Sequence, residues 1–135
     1  MSVYVSARNA LVAYLHTAFV AEYPGVPIFY ENTVEIDKDA QPGMFLMVEI
    51  DFLDNQLITV NTNPNTEVFG EMVLRIFTRA GLGVSGHLGL FDYLTSLMSN
   101  RTISGVMTLT PFPDKKLTRT GWMMTDIVVP FKVFT

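Results

Sequence analysis

The sequence predicts an α+β fold, with a mostly antiparallel sheet of five to six strands, a long N-terminal helix and a second helix packed on one face. Three observations lead to this prediction: a long helical apolar pattern near the start, a strand–glycine–helix succession from Glu71 to Asn100, and a strand of period two at the end. Strands and helices that do not alternate regularly are typical of this class. The length of 135 residues predicts a single domain over residues 1–135.

The first predicted element is a helix from Ser2 to Tyr23. Its apolar residues recur at spacings of three and four, and polar side chains are available for the other face. Pro24 and Gly25 end the helix, and Ile28 to Tyr30 begins a short strand. The apolar stripe consists of Tyr4, Ala7, Leu11, Tyr14, Leu15, Ala18 and Phe19.

A polar segment and a strand come next. Glu31 to Gly43 carries several acids and ends in a Gln-Pro-Gly turn signal, so we expect a loop or an exposed ribbon. Phe45 to Leu53 alternates apolar and polar residues, which predicts a strand. Asp54-Asn55 predicts a tight hairpin that returns through Leu57 to Asn61, and Thr62 to Thr66 reads as a turn. The buried face of the strand consists of Leu46, Val48, Ile50 and Phe52.

The stretch that organises the predicted fold is the strand, turn and helix from Glu71 to Asn100. In the strand, the apolar residues Met72, Leu74 and Ile76 alternate with residues of the opposite face. The helix that begins near His87 carries one apolar stripe, which needs a sheet to cover it. That stripe consists of Leu88, Phe91, Leu94, Leu97 and Met98.

Two further strands complete the predicted sheet. Thr102 to Thr110 reads as a strand with a bulge at Gly105. Pro113 to Gly121 is predicted as a loop, and Trp122 to Phe134 as a long strand. Pro130 predicts that this last strand is an edge strand or is locally bulged, because proline lacks the amide hydrogen that a ladder needs. The buried face of the last strand consists of Ile127, Val129, Phe131 and Val133.

Composition excludes several classes of function. The chain has no cysteine, which excludes disulfides, thiolate metal sites and cysteine nucleophiles. Met1 to Arg8 lacks the pattern of a secretory signal, and the longest apolar run, Ala10 to Leu15, is too short to span a bilayer. We therefore expect a soluble protein that is intracellular when made and has no membrane partner.

Charge is scarce and unevenly distributed. Charged residues make up 16% of the chain, so we expect some apolar surface to meet a partner. Residues 1–70 hold nine acids and two bases, a net of −7, whereas residues 71–135 hold four acids and seven bases, a net of +3. Such polarity suits subunits that meet head to tail, although ordinary solvated faces explain it at least as well. No basic nucleic-acid footprint is present in the sequence.

The glycine turn is the first candidate site. Gly81, Gly83 and Gly86 match the dinucleotide-binding pattern between a strand and a helix, where the helix N-terminus favours anions. A dinucleotide site also needs an acid at the end of the next strand, but the sequence has none between Asp92 and Asp114. We interpret the pattern as a flexible turn that lays the helix back on the sheet. A small nucleotide-binding domain using this turn is the alternative.

No pattern in the sequence predicts catalysis. His16 and His87 are the only histidines, and neither has a second histidine or a carboxylate at ligand spacing on its own element. We therefore expect each to lie at the surface or in a helix cap. Glu49 and Asp51 share one strand face, as a catalytic pair of acids would, but solvated acids are the commoner explanation. We expect no enzymatic activity, no metal and no cofactor.

Three motifs occur in order along the chain. The first is Pro27-Ile28-Phe29-Tyr30-Glu31-Asn32 after the long helix, the second is the strand, turn and helix from Glu71 to Asn100, and the third is Gly121-Trp122 followed by Val129-Pro130-Phe131. Together these motifs resemble the tail terminator (tail completion) proteins of long-tailed bacteriophages. The resemblance covers the chain from Val3 to Phe134.

This resemblance implies a structural role in a virion. Proteins of the family form a hexameric ring that caps the tail tube, stops its polymerisation and offers a docking surface to the head connector or stopper protein. The place implied is the neck of the tail, after assembly in the host cytoplasm, with the tube protein and, in contractile tails, the sheath as partners. DNA would pass through the lumen without specific binding. A head-tail joining protein or a minor tail protein is the neighbouring alternative.

Two charged surfaces are the candidate contact sites of such a ring. The acidic surface is expected to line the lumen, where it would repel DNA, or to lie between subunits. The basic surface is a loop expected to contact a partner, and the last strand is long enough to pair with a neighbouring subunit. The acidic surface consists of Glu35, Asp37, Asp39, Glu49 and Asp51. The loop carries Lys115, Lys116 and Arg119.

Overall fold

The computed structural model describes residues 3–30, 43–57, 66–81, 85–119 and 121–134. Over these residues it contains two helices and seven strands. The predicted long N-terminal helix and the predicted last strand are both present. In chain order the elements are α1 (Val3–Glu22), β1 (Ile28–Tyr30), β2 (Met44–Leu57), β3 (Thr66–Arg79), α2 (Ser85–Met98), β4 (Thr102–Ile103), β5 (Val106–Thr108), β6 (Phe112–Arg119) and β7 (Trp122–Phe134).

All of these strands belong to one sheet, in the order β1-β2-β3-β7-β5-β4, with β6 also paired to β7. β1 pairs parallel with β2, and the other five pairs are antiparallel. β6 pairs with the first half of β7 and β5 with the second half, so both lie on the side of β7 away from β3. The predicted α+β fold with a mostly antiparallel sheet is confirmed.

Both helices pack on one face of the sheet, as predicted. Alternate residues of β2, β3 and β7 join the helices in a core whose removal from water stabilises the fold. The hydroxyl of Tyr14 on α1 donates to the carbonyl of Leu97 on α2 at 3.1 Å, and the hydroxyl of Tyr93 on α2 donates to the carbonyl of Ala18 on α1 at 3.0 Å. These reciprocal bonds hold the two helices together. The core includes Leu11, Leu15, Phe19, Leu46, Val48, Met72, Leu74, Ile76, Leu90, Leu94, Ile127, Val129 and Phe131.

The buried side of α2 differs from the predicted stripe. Leu94 and Met98 are buried as predicted, but Leu88 is 53% exposed, and His87 and Leu90 are buried in its place. The buried positions still follow spacings of three and four, so the helix is rotated relative to the prediction. The prediction placed only apolar residues on the buried side of the helix. A histidine ring can also be buried when its nitrogens have hydrogen-bond partners.

His87 has two such partners. Its Nδ1 lies 2.7 Å from the hydroxyl oxygen of Thr78 on β3, and its Nε2 lies 2.7 Å from the hydroxyl oxygen of Thr125 on β7. A neutral imidazole donates through one nitrogen and accepts through the other, so two hydroxyls can satisfy both. The prediction of a surface or capping role for His87 is therefore wrong. His16 is exposed as predicted, with Nδ1 2.8 Å from the hydroxyl of Tyr30.

Thr125→Val should lower the free energy of unfolding by about 1–3 kcal/mol, because one nitrogen of the buried imidazole loses its partner. Urea unfolding measures the change. Thr95→Val is the matched control, since the Thr95 hydroxyl oxygen is buried and makes no hydrogen bond to the described residues, so valine should be neutral or stabilising there. A Thr125→Val protein as stable as the wild type would contradict a structural role for this bond.

β2 continues through the predicted hairpin turn. Asp54 and Asn55 lie within the strand, and β2 pairs with β3 along its whole length. The pairing shifts between Phe52 and Asp54, so the chain forms a bulge and does not reverse. The predicted hairpin at Asp54-Asn55 is therefore wrong, because a long antiparallel partner outweighed a weak local turn signal. Residues 31–42 and 58–65, which carry the predicted polar loop and most of the predicted return strand and turn, lie outside the described residues.

The predicted strand from Thr102 to Thr110 is a small hairpin instead. Ser104 and Gly105 join β4 to β5, and their φ angles are +48° and +86°. Two successive residues in the left-handed region form the tight turn that suits a two-residue hairpin loop, and glycine adopts it without strain. Gly105 is therefore a turn residue and not the predicted bulge.

The C-terminal strand lies inside the sheet, with β3 on one side and β6 and β5 on the other. Pro130 sits where the partner changes from β6 to β5, and its carbonyl accepts a hydrogen bond from the Leu109 amide at 2.8 Å on that side. In an antiparallel ladder the N–H and C=O of one residue point the same way, so proline at this position removes no bond to β3. The predicted edge or bulge at Pro130 is therefore wrong. The predicted pairing of this strand with a neighbouring subunit is also wrong, because both of its sides are already used.

Candidate functional site

The face of the sheet away from the helices, called the helix-free face, is formed by residues that alternate with the core residues of β2, β3 and β7. At one end Phe45, Phe77 and Trp122 form a buried aromatic cluster, in which the rings of Phe45 and Phe77 stack at 4.5 Å. The guanidinium of Arg79 lies 4.6 Å from the centre of the Trp122 ring. Because this end is buried, the candidate contact residues lie farther along the strands.

An ion group occupies the middle of the helix-free face. Arg75 on β3 donates to both carboxylate oxygens of Asp126 on β7, through Nε at 2.8 Å and Nη2 at 3.2 Å. Asp126 is buried, so this bidentate pairing compensates a charge that would be strongly unfavourable alone. The hydrogen bond to Asp126 raises the pKa of Arg75, partly opposed by burial, and the charges of Asp126 and Glu49 raise it further. The guanidinium is therefore a permanent positive charge.

Acidic side chains lie beside this group on β2 and β3. Glu49 is 3.7 Å from Nη1 of Arg75, and its side chain is partly exposed. Asp51 is exposed and lies directly opposite Glu71 in the β2–β3 pair. Like charges at directly opposed positions of a sheet repel each other. The ion pairs formed among the described residues include neither Asp51 nor Glu71, so this part of the sheet keeps a negative charge.

Two of the five predicted acids of the candidate surface can be placed. Glu49 and Asp51 share the helix-free face, as their alternation with core residues predicts. Glu35, Asp37 and Asp39 lie outside the described residues, and their grouping with the first two stays a prediction.

The three predicted basic residues lie on a strand and not in a loop. β6 pairs with the first half of β7, so the predicted loop from Pro113 to Gly121 is wrong. Gly121, with a φ of +80°, belongs to the short connection into β7. Among the described strands β6 pairs with β7 alone, as an edge strand does, and edge strands commonly carry lysine. Its sequence therefore lacks the apolar alternation by which a buried strand is recognised. The residues concerned are Lys115, Lys116 and Arg119.

Exposed apolar side chains surround the junction of β5 and β6. Directly paired residues share a face of the sheet, and two members of this group are paired with Lys132 and Val128 of the helix-free face. On β2, which β3 and β7 separate from β5 and β6, Leu53 at the bulge is 58% exposed. The group at the junction consists of Met107, Leu109 and Phe112, which are 36%, 38% and 45% exposed.

The glycine turn lacks the surroundings of a dinucleotide site. β3 leads into the turn between two antiparallel neighbours, whereas the dinucleotide pattern operates in a parallel βαβ unit. Gly81 has a φ of +94° and Gly86 lies in the first turn of α2, while Gly83 is outside the described residues. Among the residues that the structure describes, no group of three or more acids or histidines could hold a metal ion. No described helix is long and apolar enough to cross a membrane.

Sequence reasoning missed Glu71, Arg75 and Asp126 as members of this surface. The sequence did contain one indication of Asp126. It is the one acid in the apolar last strand, and its odd spacing from Ile127 and Val129 places it on the face opposite the core. A charge at such a position needs a partner of opposite sign. The partner could not be found by spacing, since Arg75 and Asp126 are 51 positions apart in the chain.

No protein-family model matches the chain, and no curated protein matches it. Solved structures do match. One solved chain, whose name states no function, has a TM-score of 0.71 and 16% sequence identity, over 93% of this chain and 92% of its own length. A chain from the virion of a native gene transfer agent (GTA) particle has a TM-score of 0.58 and 11% identity, over 96% of this chain and 98% of that chain.

These similarities define the class of this chain at the level of the fold. It is an α+β protein with two helices on one face of a mostly antiparallel sheet. A protein chain of a GTA virion has the same fold over nearly its whole length.

Proposed function

We propose that this chain is a structural protein of a phage-type virion, and that it forms a ring which caps the tail tube, stops tube polymerisation and provides the docking surface for the head connector. The observation that carries the proposal is the fold shared with a chain of a GTA virion, which covers 98% of that chain. The three sequence motifs that resemble tail terminator proteins point to the same class.

The surfaces of the described chain support a role in assembly. A subunit of a ring contacts two neighbours through two different surfaces. The sheet offers an acidic surface on β2 and β3, a basic strand on the far side of β7, and exposed apolar side chains beside each. Exposed apolar side chains grouped with charges are typical of protein contact sites.

In this proposal the ring is a homohexamer at the neck of the virion tail, assembled in the host cytoplasm. Its partners are the tail tube protein, the head connector or stopper protein and, where the tail contracts, the sheath. DNA passes through the lumen without specific binding, and no membrane, metal, cofactor or catalysis is involved. A head-tail joining protein or a minor tail protein is the alternative role for the same fold.

Polymerisation of the cognate tail tube protein tests the proposal. Tubes formed with a small proportion of this chain should be shorter than tubes formed without it, when their lengths are measured by electron microscopy. The reason is that one bound ring blocks one growing end. Fresh tube protein should lengthen uncapped tubes and leave capped tubes unchanged, and a heat-unfolded sample of the chain serves as the control.

Two other outcomes are informative. Tubes that keep growing at the uncapped rate contradict a terminator. If the chain binds finished tube ends or heads without changing tube growth, the head-tail joining role replaces the terminator role.

A further inference from the structure

The first turn of α2 is attached to the sheet by one buried side chain. Within residues 85–89, His87 is 2% exposed and the other four residues are exposed. Gly86 and Gly89 have no side chain to pack, and glycine is among the least favourable residues inside a helix. The next buried residue of the helix is Leu90. The position of this turn on the sheet therefore depends on the imidazole of His87.

The two hydrogen bonds of His87 suit the neutral form of its ring. Nδ1 and Nε2 each lie 2.7 Å from a hydroxyl oxygen, of Thr78 on β3 and of Thr125 on β7. In a neutral ring one nitrogen donates and the other accepts from a hydroxyl. A protonated ring donates through both nitrogens, so the hydroxyl that donated must turn and accept. Protonation therefore reverses one bond and leaves a hydroxyl hydrogen that needs a new acceptor inside the core.

Two features of the fold oppose a positive charge on this ring. A buried imidazolium loses its hydration, which favours the neutral form. His87 is also the third residue of α2, and the N-terminal end of a helix carries a partial positive charge. Both effects raise the free energy of the charged ring in the folded chain, and neither acts on a ring that has moved into water.

Charged residues on the elements around His87 fall into three groups. Those of β2, β3 and β7 lie on the helix-free face, and the nearest ones of the two helices are exposed. One residue of β6 is paired with Thr125 and so shares the face that carries the helices, but it is a lysine and adds no negative charge there. In that order, the groups are Glu49, Arg75, Arg79 and Asp126; Glu22 and Asp92; and Lys116.

Release of the first turn does not require the rest of the chain to unfold. No apolar side chain is buried in α2 before Leu90, so opening of the turn exposes little apolar surface. Beyond this point the helix is held by buried Leu94 and Met98 and by the hydrogen bonds that join it to α1. Segments with few buried apolar contacts open at lower free energy than the core does.

We propose that His87 is a pH-dependent switch, which holds the first turn of α2 on the sheet when it is neutral and releases the turn when it is protonated. A histidine ring in water takes up a proton with a pKa of about 6.5. The open turn therefore binds a proton more readily than the closed turn does. Acid favours the form that binds more protons, so the closed turn loses stability as the pH falls below about 6.5. This inference goes beyond the proposed function and does not depend on it.

Hydrogen exchange and NMR of the full chain test the switch. The amides of Gly89 and Leu90 bond to carbonyls one turn earlier in the helix, so their protection factors report opening of the first turn. Between pH 7 and pH 5 these factors, corrected for the intrinsic effect of pH on exchange, should fall about ten-fold. Amides of the β3–β7 ladder should keep their protection. The His87 ring itself should titrate with a pKa below about 6.5.

Two glutamine variants provide the comparison. His87→Gln keeps an amide donor and acceptor but takes up no proton, so the protection of its first turn should be the same at both pH values. His16→Gln is the matched control, because His16 is exposed and lies on α1, and this variant should respond to acid like the wild type. Circular dichroism shows whether each variant is folded. If His87→Gln is not folded, the titration of the wild-type ring decides.

Four results would overturn the proposal. The first is a wild-type His87 ring that titrates at or above the ordinary pKa of histidine. The second is protection of the first turn that does not change between pH 7 and pH 5. The third is an equal loss of protection in the folded His87→Gln variant, or its absence in His16→Gln. The fourth is a loss in the β3–β7 ladder as large as that in the first turn, because the acid would then act on the whole fold.

Discussion

Gly70→Ala is expected to lower the free energy of unfolding by about 1–3 kcal/mol, the usual effect of adding atoms to a tightly packed site. Gly70 lies in β3 between Phe52 of β2 and Phe131 of β7. An alanine methyl group would be 2.7 Å from the carbonyl oxygen of Asp51 and would overlap the ring of Phe131. The Phe131 ring is itself buried in the core, and the backbone oxygen cannot move without disturbing the β2–β3 ladder. Urea unfolding followed by the fluorescence of the single tryptophan, Trp122, measures the loss.

Gly89→Ala is the matched control for this substitution. Gly89 is an exposed residue of α2, and an alanine methyl group there would meet no atom within 4 Å beyond its chain neighbours and the backbone of its own helix. Because glycine in the middle of a helix is unfavourable relative to alanine, this change should stabilise the protein by about 0.5–1 kcal/mol. The same methyl group is added in both variants, so opposite signs isolate the crowding at Gly70. A Gly70→Ala protein as stable as the wild type would contradict the close packing described for β3.

Arg75→Met should produce the second large loss, about 2–3 kcal/mol. Methionine keeps much of the volume of the arginine stem but leaves the carboxylate of Asp126 buried without its bidentate partner. Breaking a fully buried ion pair costs about 3–5 kcal/mol, and the smaller value takes account of the 29% exposure of the Arg75 side chain. Urea unfolding again gives the change in free energy.

A double variant identifies the origin of that loss. Adding Asp126→Leu to Arg75→Met removes the unpaired carboxylate, so most of the lost stability should return. Glu49→Gln is the single-site comparison, and it should change stability by less than about 1 kcal/mol, because its side chain is 41% exposed and lies 3.7 Å from the guanidinium. If Arg75→Met has the same free energy of unfolding as the wild type, the ion pair with Arg75 does not compensate the burial of the Asp126 carboxylate.

Two elements could be predicted closely from the sequence. The last strand has its predicted bounds, Trp122–Phe134, and α1 differs from the predicted helix by a single residue at each end. In α1 the burial of one side imposes the period of 3.6 that the sequence displays directly, and in β7 the period of two is clear from Val129 to Val133, while the first half of that strand is buried on both faces. This period of apolar residues is the same whichever distant element packs against the buried side.

The features that depend on the identity of a distant partner could not be predicted. β6 is a strand because β7 pairs with it, although its own residues read as a loop. His87 is buried because hydroxyls on β3 and β7 meet its two nitrogens, and the bulge in β2 exists because β3 extends beyond the local turn signal. The candidate surface shows the same limit, since Glu49 and Asp51 could be placed on one face while the opposition of Asp51 to Glu71 follows only from the register.

The central place of β7 in the sheet determines the order in which a newly made chain can fold. β3, β5 and β6 all pair with β7, yet each of them comes before it in the sequence. During synthesis the helices and the β2–β3 pair can form early, but β5 and β6 have no ladder to join until residues 122–134 have left the ribosome. Pairings over such sequence separations also form slowly. The side of the sheet beyond β7 is therefore the last part of the described fold that a nascent chain can complete.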